Sequence, residues 1–578
     1  MCGIIGYIGN QNASEILVKG LKHLEYRGYD SVGVAIAGEN DIELKKDKGM
    51  IDEVSVDLGF TSMKGHIGMG HTRWATHGAP CRENAHPHFD PDKKIVLVHN
   101  GVIENYLELK EELLAKGHKF ASDTDSEVIA HLMEEQLKTD KPFYAFIKSL
   151  RKLRGSYALV VMFADDKDHL YIARKGSPLI IGIGKGEMFC ASDIPAMLNY
   201  TKTFVPLEDG DIATLSKNGY KISDLDGNPV ERKSIEVDWN MEMAEKGGYP
   251  HFMLKEINDQ RHFINETLAT DVSDAKKLVE EYNRIHIIAC GTSYHAGMLM
   301  SYLLMRKGKE ARAFIASDYS FIAKPDDKTL VIAITQSGET ADVMQAVKFA
   351  KEKKAKIIGI TNVVGSSITR MADAVIYLNV GPEIGVAATK TFMAQMIVAY
   401  LLNYEKEKVE KIRPAIAQML EKENEIKEIA AKLKNSHDVF FIGRGLSVPI
   451  AYEGSLKFKE ISYIHSEAYP GGELKHGTLS LIEEGIPLIA IAPYDETASK
   501  LLGNLKETKS RGAMVISITD NPEIKKESDY VIELPEMDKD LYPFAEIVPL
   551  QLLAYHVSVL RGNNPDKPRN LAKSVTVE

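Results

Sequence analysis

The chain begins Met1-Cys2-Gly3, and a cysteine in the second position becomes the N-terminal residue once the initiator methionine is removed. Cys2 would then carry a thiol and a free α-amine on one carbon skeleton. An α-amine has a pKa of about 7.7–8.0, so near pH 7 part of it is neutral and can accept the thiol proton. This arrangement predicts a cysteine nucleophile that needs no distant histidine as its base. The alternative is a small residue placed there by chance.

A second group of polar residues lies between positions 71 and 125. The run His71–Gly78 follows a glycine-rich segment, and Asn100-Gly101 closely follows the apolar run Ile95–Val98. A side-chain amide and the next backbone N–H can point at one oxyanion, although Asn-Gly is also a common turn. Asp125 could belong to the same site or could cap a helix.

The strands and helices that must position these residues are predicted to form a layered α+β domain that ends near residue 230. Short β-rich segments alternate with turns, which we predict at Gly9-Asn10 and Gly38–Asn40. Apolar spacing predicts three helices in this region, which are Ala13–Leu24, Ile103–Lys116 and Ser126–Leu137.

Beyond a charged, glycine- and proline-containing junction near 238–252, strands and helices alternate in a way that indicates parallel α/β units. The predicted strands are Ile285–Ala289, Leu330–Ile334, Ile357–Ile360, Ala374–Leu378, Val439–Ile442, Leu488–Ile491, Met514–Ile518 and Tyr530–Leu534. The same alternation of strands and helices occurs in the first four and in the last four of these strands. We therefore predict two tandem copies of one doubly wound domain, joined by the helical stretch Lys406–Lys434.

Each copy has polar loops after its strands, at the edge where such folds bind ligands. Thr335–Thr340 and Gly291–Ser293 combine hydroxyls, a glycine and free helix N–H groups, which favours an anion site, although a helix cap has the same composition. Lys457 and Glu460 share one helix face and could be a solvated ion pair. His476 lies between glycine-rich turns, where its side chain could reach a ligand.

Composition excludes several classes of protein. The formal net charge of −11 argues against a nucleic-acid partner. Four dispersed cysteines form neither a disulfide framework nor a zinc motif, and His86 and His88 have no third ligand at suitable spacing, so we predict no metal site. No signal sequence and no run of 18 apolar residues is apparent, so a reduced, cytoplasmic, multidomain protein is expected.

Five stretches carry a resemblance to a known family. Met1–Ile4, Tyr26–Asp30, Thr72–Gly78, His99–Gly101 and the region of Asp125, in this order, resemble the class II glutamine amidotransferases. The resemblance implies an N-terminal-nucleophile glutaminase domain, with two facing antiparallel sheets between helix layers. It also implies hydrolysis of glutamine to glutamate and ammonia.

The resemblance assigns roles in the glutamine site. Cys2 would be the nucleophile, and Asn100 with the Gly101 N–H would hold the oxyanion. Arg73 would bind the α-carboxylate of glutamine, for which its planar guanidinium is suited. The other residues implied are Asp125 at the α-ammonium, Thr76 and His77 in the pocket wall, and Trp74 as the gate for ammonia.

The polar loops of the tandem units resemble the sugar isomerase (SIS) family of phosphosugar-binding domains. Over essentially its full length, the chain resembles the isomerizing glutamine–fructose-6-phosphate aminotransferases. This resemblance implies glutamine and fructose 6-phosphate as substrates, internal transfer of ammonia, a homodimer, and neither cofactor nor metal. The expected bounds are 1–235 for the glutaminase domain, 236–251 for a linker, 252–420 and 421–568 for the two SIS domains, and 569–578 for a C-terminal active-site tail.

The same resemblance assigns the sugar site. Lys573 would form a Schiff base, Glu460 would move a proton between C1 and C2 with Lys457 assisting, and His476 of a neighbouring subunit would open the sugar ring. The residues expected at the phosphate and sugar are Thr292, Ser293, Thr335, Gln336, Ser337, Thr340, Val386 and Ala387. Ala388 departs from the serine expected in the family, so no role is assigned to it.

Two rival interpretations remain. An amidotransferase with a different acceptor would need a pyrophosphate-binding loop or an ATP-pyrophosphatase motif after residue 230, and neither is found. A relative acting on another sugar phosphate stays open, because that specificity depends on the shape of the pocket.

Overall fold

The computed structural model describes residues 2–38, 41–75, 77–239 and 245–576. Part of the predicted turn at Gly38–Asn40, the proposed pocket residue Thr76 and residues 240–244 of the predicted linker lie outside the described residues, as do residues 577 and 578.

Residues 2–239 form two antiparallel sheets with helices. The strands are β1 (Gly3–Ile8), β2 (Ser31–Ala37), β3 (Ile42–Lys48), β4 (Ile67–Arg73), β5 (His88–Phe89), β6 (Ile95–Ile103), β7 (Gly155–Phe163), β8 (Asp166–Lys175), β9 (Ile180–Ile183), β10 (Met188–Ala191), β11 (Thr203–Pro206), β12 (Ile212–Ser216), β13 (Gly219–Ser223) and β14 (Ile235–Glu236). The helices are α1 (Ala13–Leu24), α2 (Ile51–Asp57), α3 (Tyr106–Ala115), α4 (Glu127–Leu137) and α5 (Pro142–Leu150).

The order of strands is β14-β11-β9-β10-β1-β4-β2-β3 in one sheet and β13-β12-β8-β7-β6-β5 in the other. Apolar side chains of β1, β4, β6, β7 and β8 fill the space between the sheets. Helices α1 and α2 pack on the outer face of the first sheet, and α3, α4 and α5 pack on the outer face of the second. This is the predicted α+β layer architecture, with the helices outside.

Two sequence-based expectations about this region are wrong. Strand β6 does not end before Asn100-Gly101 but continues through them to Ile103, with Asn100 opposite Ala158 and Gly101 opposite Tyr157 in β7. The Asn-Gly pair is therefore not a turn. The helix predicted to begin at Ile103 begins only at Tyr106, since the strand takes up the preceding residues.

Residues 252–560 form two parallel α/β units. The helices of this region are α6 (Phe252–Leu268), α7 (Ser273–Glu281), α8 (Gly291–Arg306), α9 (Tyr319–Ile322), α10 (Ala341–Glu352), α11 (Ser367–Met371), α12 (Lys390–Leu401), α13 (Lys406–Val409), α14 (Ile412–Glu421), α15 (Glu423–Leu433), α16 (Ser447–Lys457), α17 (Ala498–Lys509), α18 (Pro522–Glu527) and α19 (Tyr542–Leu560). The strands are β15 (Arg284–Ala289), β16 (Glu310–Ile315), β17 (Thr329–Ile334), β18 (Lys356–Thr361), β19 (Ala374–Tyr377), β20 (Asp438–Gly443), β21 (His465–Pro470), β22 (Pro487–Ile491), β23 (Met514–Thr519) and β24 (Tyr530–Glu533).

The two parallel sheets have the same topology, β16-β15-β17-β18-β19 and β21-β20-β22-β23-β24. Numbered within each unit, both follow the order 2-1-3-4-5, in which the direction of winding reverses between the first and third strands. The sequence located four strands in each unit and missed the second, β16 and β21. Both lie at a sheet edge and alternate buried with exposed residues, so neither has a continuous apolar run.

The two units share one core. A single apolar cluster runs from Met253 in α6 through α12, α14, α15 and α16 to Val557 in α19. Among the described residues, one helical span, Lys539–Leu560, is long and apolar enough to cross a membrane, yet 89% of its most apolar window is buried inside the protein. Its apolar character is accounted for by this shared core.

Candidate active sites

Cys2 lies at the start of β1, where the two sheets of the N-terminal region approach each other. Its Sγ accepts a hydrogen bond from the Trp74 N–H at 3.2 Å. The neighbouring Gly3 pairs with Thr72 of β4, and a Cβ on Gly3 would come within 2.6 Å of the Thr72 hydroxyl. Glycine at position 3 therefore lets the N-terminus lie close against β4 and holds the thiol at the end of that strand.

Asn100 is oriented by a histidine. Its Nδ2 donates to the Cys2 carbonyl oxygen at 2.9 Å, and its Oδ1 lies 3.0 Å from His71 Nε2. His71 Nε2 also lies 3.2 Å from the His99 carbonyl oxygen, so both neighbours require a proton on Nε2. Burial lowers the pKa of His71 to about 3, so the ring is neutral at physiological pH. His71 thereby fixes the Asn100 amide with its N–H groups toward Cys2.

Gly101 cannot be replaced without strain. Its φ is +136°, and a Cβ there would lie 2.1 Å from the Ser156 carbonyl oxygen of the neighbouring strand. The backbone at residue 101 can adopt this conformation only because glycine has no side chain. Asn100 and Gly101 both line a pocket of about 460 Å³ next to Cys2.

Charged groups of opposite sign lie in the wall of this pocket. Arg73 is 3% exposed and donates through Nη2 to the carbonyl oxygens of His77 and Gly78, and its Nη1 has no hydrogen-bond partner among the described residues. Asp125 is also buried, and its Oδ2 accepts from the Ile103 N–H at 2.8 Å. An unpaired guanidinium nitrogen and a carboxylate in one pocket match an amino acid with free α-carboxylate and α-ammonium groups.

Two pocket predictions need comment. Asp125 binds a backbone N–H of β6 and does not cap α4, whose N-terminal flanking residue is Ser126. His77 lies beside Arg73 and stacks edge-on against Tyr106, whereas the pocket itself is lined by Trp74 and by residues of β6 and the Asp125 loop.

The sugar-site candidates surround a separate open cleft of about 1010 Å³. Helices α8 and α10 both begin at this cleft, after the first and third strands of their sheet, and therefore at the point where the winding reverses. The lining includes Thr292, Ser293, Thr335, Gln336, Ser337 and Thr340. Two helix N-termini surrounded by hydroxyl groups offer the hydrogen-bond donors that a phosphate group needs.

Side chains around the cleft form hydrogen bonds with one another. The Thr335 and Thr340 hydroxyls are 2.8 Å apart, and Gln395 Nε2 donates to Ser293 Oγ at 2.9 Å. Val386 lines the cleft as predicted. Ala387 is buried, and the adjacent Ala388 is the residue that lines the cleft beside Val386.

Lys573, in the C-terminal tail, extends into this cleft. Its Nζ forms an ion pair with the fully buried Glu383 and donates to the Gly385 carbonyl oxygen at 2.8 Å. Burial opposes ionisation of Glu383, but the Lys573 ammonium outweighs it and holds the pKa of that carboxyl below its usual value. The pair fixes the lysine nitrogen at the wall of the cleft.

Glu460 also lines the cleft, on a π-helical turn (Phe458–Ser462) that continues α16. Lys457 is fully buried, with Nζ 2.5 Å from Glu460 and 3.2 Å from Glu453. Burial alone would lower the pKa of Lys457, but the two carboxylates outweigh it and raise the pKa above its usual value. The pair is therefore not the solvated surface pair that the sequence left open, and Lys457 supports Glu460 from behind the cleft.

His476 is not brought to the cleft within one chain. It ends a 3-10 turn (Gly471–His476) and is exposed, while the described residues that line the cleft do not include it. Sequence reasoning missed Glu383 and Glu453 and gave no role to His71. Glu453 could have been found, since it lies one helical turn before Lys457, but Glu383 stands in no recognisable motif.

Comparison with protein families agrees with these two sites. The family model described as "SIS domain" matches residues 278–403 and 432–561, and the one described as "Glutamine amidotransferase domain" matches residues 71–199. The two SIS matches coincide with the two parallel sheets, and the third match covers Arg73, Asn100 and Asp125.

Similar proteins extend over the full chain. It is 53% identical over 600 residues to "Glutamine--fructose-6-phosphate aminotransferase [isomerizing]" of Pyrococcus horikoshii and 47% identical over 595 residues to the protein of that name from Methanothermobacter thermautotrophicus, with 100% of both chains covered in each case. Among solved structures, the C-terminal domain of glucosamine-fructose-6-phosphate aminotransferase from Francisella tularensis is 36% identical, with a TM-score of 0.52. That match covers 56% of this chain and 99% of the other.

Proposed function

The chain belongs to the family of isomerizing glutamine–fructose-6-phosphate aminotransferases, and on this premise we propose how its two sites divide the reaction. It transfers the amide nitrogen of glutamine to fructose 6-phosphate, with glutamate and glucosamine 6-phosphate as products. The observation that supports assigning one half of the reaction to each site is the path of the C-terminal tail. Thr576 lines the pocket beside Cys2, and Lys573 lines the cleft beside Glu460.

In the glutamine pocket, the Cys2 thiolate attacks the carboxamide carbon of the substrate, after its proton has passed to the α-amine of the same residue. The Asn100 amide and the Gly101 N–H stabilise the negative charge that forms on the oxygen. Ammonia leaves as the C–N bond breaks, and water then cleaves the thioester to release glutamate. Arg73 and Asp125 hold the α-carboxylate and α-ammonium groups, and both stay fixed during these steps.

In the cleft, the phosphate of the sugar binds at the starts of α8 and α10, which leaves the carbonyl end near Lys573. Lys573 passes a proton to its partner Glu383, and the free amine then condenses with the C2 carbonyl of the open-chain sugar and releases water. Ammonia displaces the lysine from C2. Glu460 then removes a proton from C1 and returns one to C2, which converts the imine of a ketose into a 2-amino aldose.

Ammonia must pass between the sites without reaching solvent, because in water near pH 7 it is protonated and no longer nucleophilic. A third cavity of about 730 Å³ follows the tail and is lined by Lys573, Ser574 and Thr576. Trp74 binds the Cys2 sulfur through its backbone and also lines the glutamine pocket, so it is well placed to control the exit. These contacts support transfer along the tail.

A second copy of the chain completes the sugar site in this proposal by supplying His476, which is exposed and is not among the described residues that line the cleft of its own chain. The molecular mass of the native protein in solution tests this, and a monomer with full activity would contradict it. The assignment also includes a cytoplasmic location and catalysis without a cofactor.

The experiment measures glutamate and glucosamine 6-phosphate formed from glutamine and fructose 6-phosphate. We expect Cys2→Ala to lose both products and Lys573→Ala to lose the amino sugar while glutamate still forms. Cys81→Ala and Lys324→Ala, which change a cysteine and a lysine elsewhere, keep both. If the wild type forms glutamate without amino sugar, the acceptor is a different phosphosugar; if Cys2→Ala still forms glutamate, the nucleophile is misassigned.

A further inference from the structure

A cluster of two histidines and a glutamate lies in the N-terminal domain, outside the glutamine pocket. His131 and Glu134 are three residues apart on one face of α4, and His118 follows α3 in the chain. His131 is completely buried and His118 is 8% exposed, whereas the Glu134 side chain is 24% exposed. The cluster therefore has a buried nitrogen side and one side that solvent can reach.

Three atoms of this cluster converge. The distances are 3.1 Å between His118 Nδ1 and His131 Nδ1, 3.0 Å between His118 Nδ1 and Glu134 Oε2, and 3.2 Å between His131 Nδ1 and Glu134 Oε2. For metal–ligand bonds of about 2.0–2.1 Å, neighbouring ligand atoms around a zinc ion are about 2.8–3.4 Å apart, depending on the coordination geometry. All three edges of the triangle fall in this range.

The second nitrogen of each histidine faces another carboxylate. His118 Nε2 lies 2.9 Å from Glu135 Oε1, and His131 Nε2 lies 3.5 Å from Glu127 Oε1. A histidine that binds a metal through one nitrogen commonly donates the N–H of the other to a carboxylate, which fixes the tautomer and the ring orientation. His118 has this arrangement, whereas His131 Nε2 has the Glu127 carboxylate nearby at 3.5 Å but no hydrogen-bond partner among the described residues.

A cation just outside the plane of this triangle can lie about 2.0–2.1 Å from each of the three atoms and bind all of them at once.

We propose that His118 Nδ1, His131 Nδ1 and Glu134 Oε2 bind one divalent first-row transition metal ion, with Zn²⁺ as the best match to two imidazoles and one carboxylate. Water completes the coordination on the exposed side of Glu134. This site is distinct from the one that the sequence considered and rejected at His86 and His88. It is independent of the proposed division of the aminotransferase reaction.

The position of the site suggests a structural role. Glu127, beside His131, accepts hydrogen bonds from the Ala121 N–H, the Ser122 N–H and the Ser122 hydroxyl at 2.6–2.7 Å. That segment leads directly into the Asp125 loop of the glutamine pocket. A metal ion that fixes His131 would therefore stabilise α4 together with the loop that holds Asp125.

The test uses the tag-free, full-length protein, freed of metal with a chelator and then treated with ZnCl₂ or CoCl₂. We expect the wild type to retain one Zn²⁺ per chain more than Glu134→Gln after desalting, to gain the visible absorption of nitrogen-bound Co²⁺, and to melt at a higher temperature with Zn²⁺. His169→Gln is the matched control, because His169 pairs with Asp166 at the same i,i+3 spacing without a third ligand. It should behave as the wild type.

A second variant guards against misfolding of Glu134→Gln. Glu135→Gln keeps all three ligand atoms and removes only the carboxylate behind His118, so zinc affinity should fall about 10–100-fold. If the wild type binds no more Zn²⁺ than Glu134→Gln, or if Zn²⁺ leaves its melting temperature unchanged, the proposal is wrong.

Discussion

The two reaction sites of this protein are built in opposite ways. The glutamine pocket is formed largely by one domain, and Asn100, the proposed oxyanion donor, is held by the buried, neutral His71. The sugar cleft is open, and it combines loops of the first SIS domain, a π-helical turn of the second and the C-terminal tail. The first site is completed by folding of one domain, whereas the second needs three distant segments and, in the proposal, a second chain.

The difference matters because the two substrates make different demands. Glutamine hydrolysis needs a fixed oxyanion hole, and rigid strands supply one at little cost in reorganisation. The sugar must enter, open its ring, exchange its C2 oxygen for nitrogen and leave, so an open cleft is suitable. In the cleft, Lys457 contacts both Glu460 and Glu453, so Glu460 can be neutralised without leaving the buried lysine unpaired.

After the losses expected for Cys2→Ala and Lys573→Ala, the next largest change is expected from Glu460→Gln in the sugar cleft. Loss of a positioned acid–base group lowers amino-sugar formation by about 10²–10⁴-fold. The fold should survive because Lys457 keeps Glu453 at 3.2 Å as its partner. Steady-state rates of both products measure the effect, and glutamate release without sugar should stay at the wild-type rate.

The control for that variant is Glu483→Gln, which neutralises an exposed carboxylate of the same domain and should leave both rates unchanged. If Glu460→Gln forms the amino sugar at a rate within threefold of the wild type, Glu460 does not carry out the proton transfer.

Asn100→Ala tests the pocket in the same way, with a smaller expected effect. Removal of one oxyanion donor lowers kcat for glutamine hydrolysis by about 10²–10³-fold. His71 is not left without a partner, since its Nε2 remains 3.2 Å from the His99 carbonyl oxygen. The rate of glutamate production measures the effect on kcat. Asn199→Ala, which changes an exposed asparagine, is the control. If Asn100→Ala changes KM alone, Asn100 acts in substrate binding instead.

The sequence predicted the glutamine site more fully than the sugar cleft. Cys2 and Asn100 are candidates from the residues themselves, with a chance cysteine and a turn as the alternatives. Arg73 is assigned by the resemblance alone, and Asp125 could be a helix cap. The structure brings all four to one pocket. What could not be predicted was the continuation of β6 through Asn100-Gly101. That depends on pairing with β7, which begins more than 50 residues later in the chain.

The cleft was predictable only in pieces. The two helix starts at Gly291 and Ala341 follow apolar strands and could be found from composition. Glu383 could not, because its role depends on a tail lysine 190 residues away, and no local pattern links them. The shared core of the two SIS domains also escaped prediction, since an apolar helix such as α19 does not reveal which domain it packs against.

The smallest expected effect concerns the connection between the two sites. The Tyr29 hydroxyl donates to the Pro568 carbonyl oxygen at 2.8 Å, which fastens the start of the tail to the glutaminase domain, and the Tyr29 ring packs edge-on against Trp74. Tyr29→Phe keeps the ring and removes one hydrogen bond, worth about 0.5–1.5 kcal/mol.

That loss corresponds to about a 2- to 13-fold shift toward an undocked tail. Other contacts still hold the tail, including the ion pair of Lys567 with Glu25 and the bond between Ser574 and Ser337. We therefore expect both reactions to continue, but with more glutamate released per amino sugar than in the wild type. Tyr144→Phe, which changes an exposed tyrosine, should keep the wild-type ratio. An unchanged ratio in Tyr29→Phe would mean that ammonia transfer does not depend on how the tail is fastened at this end, and that the contacts near Lys573 suffice to couple the sites.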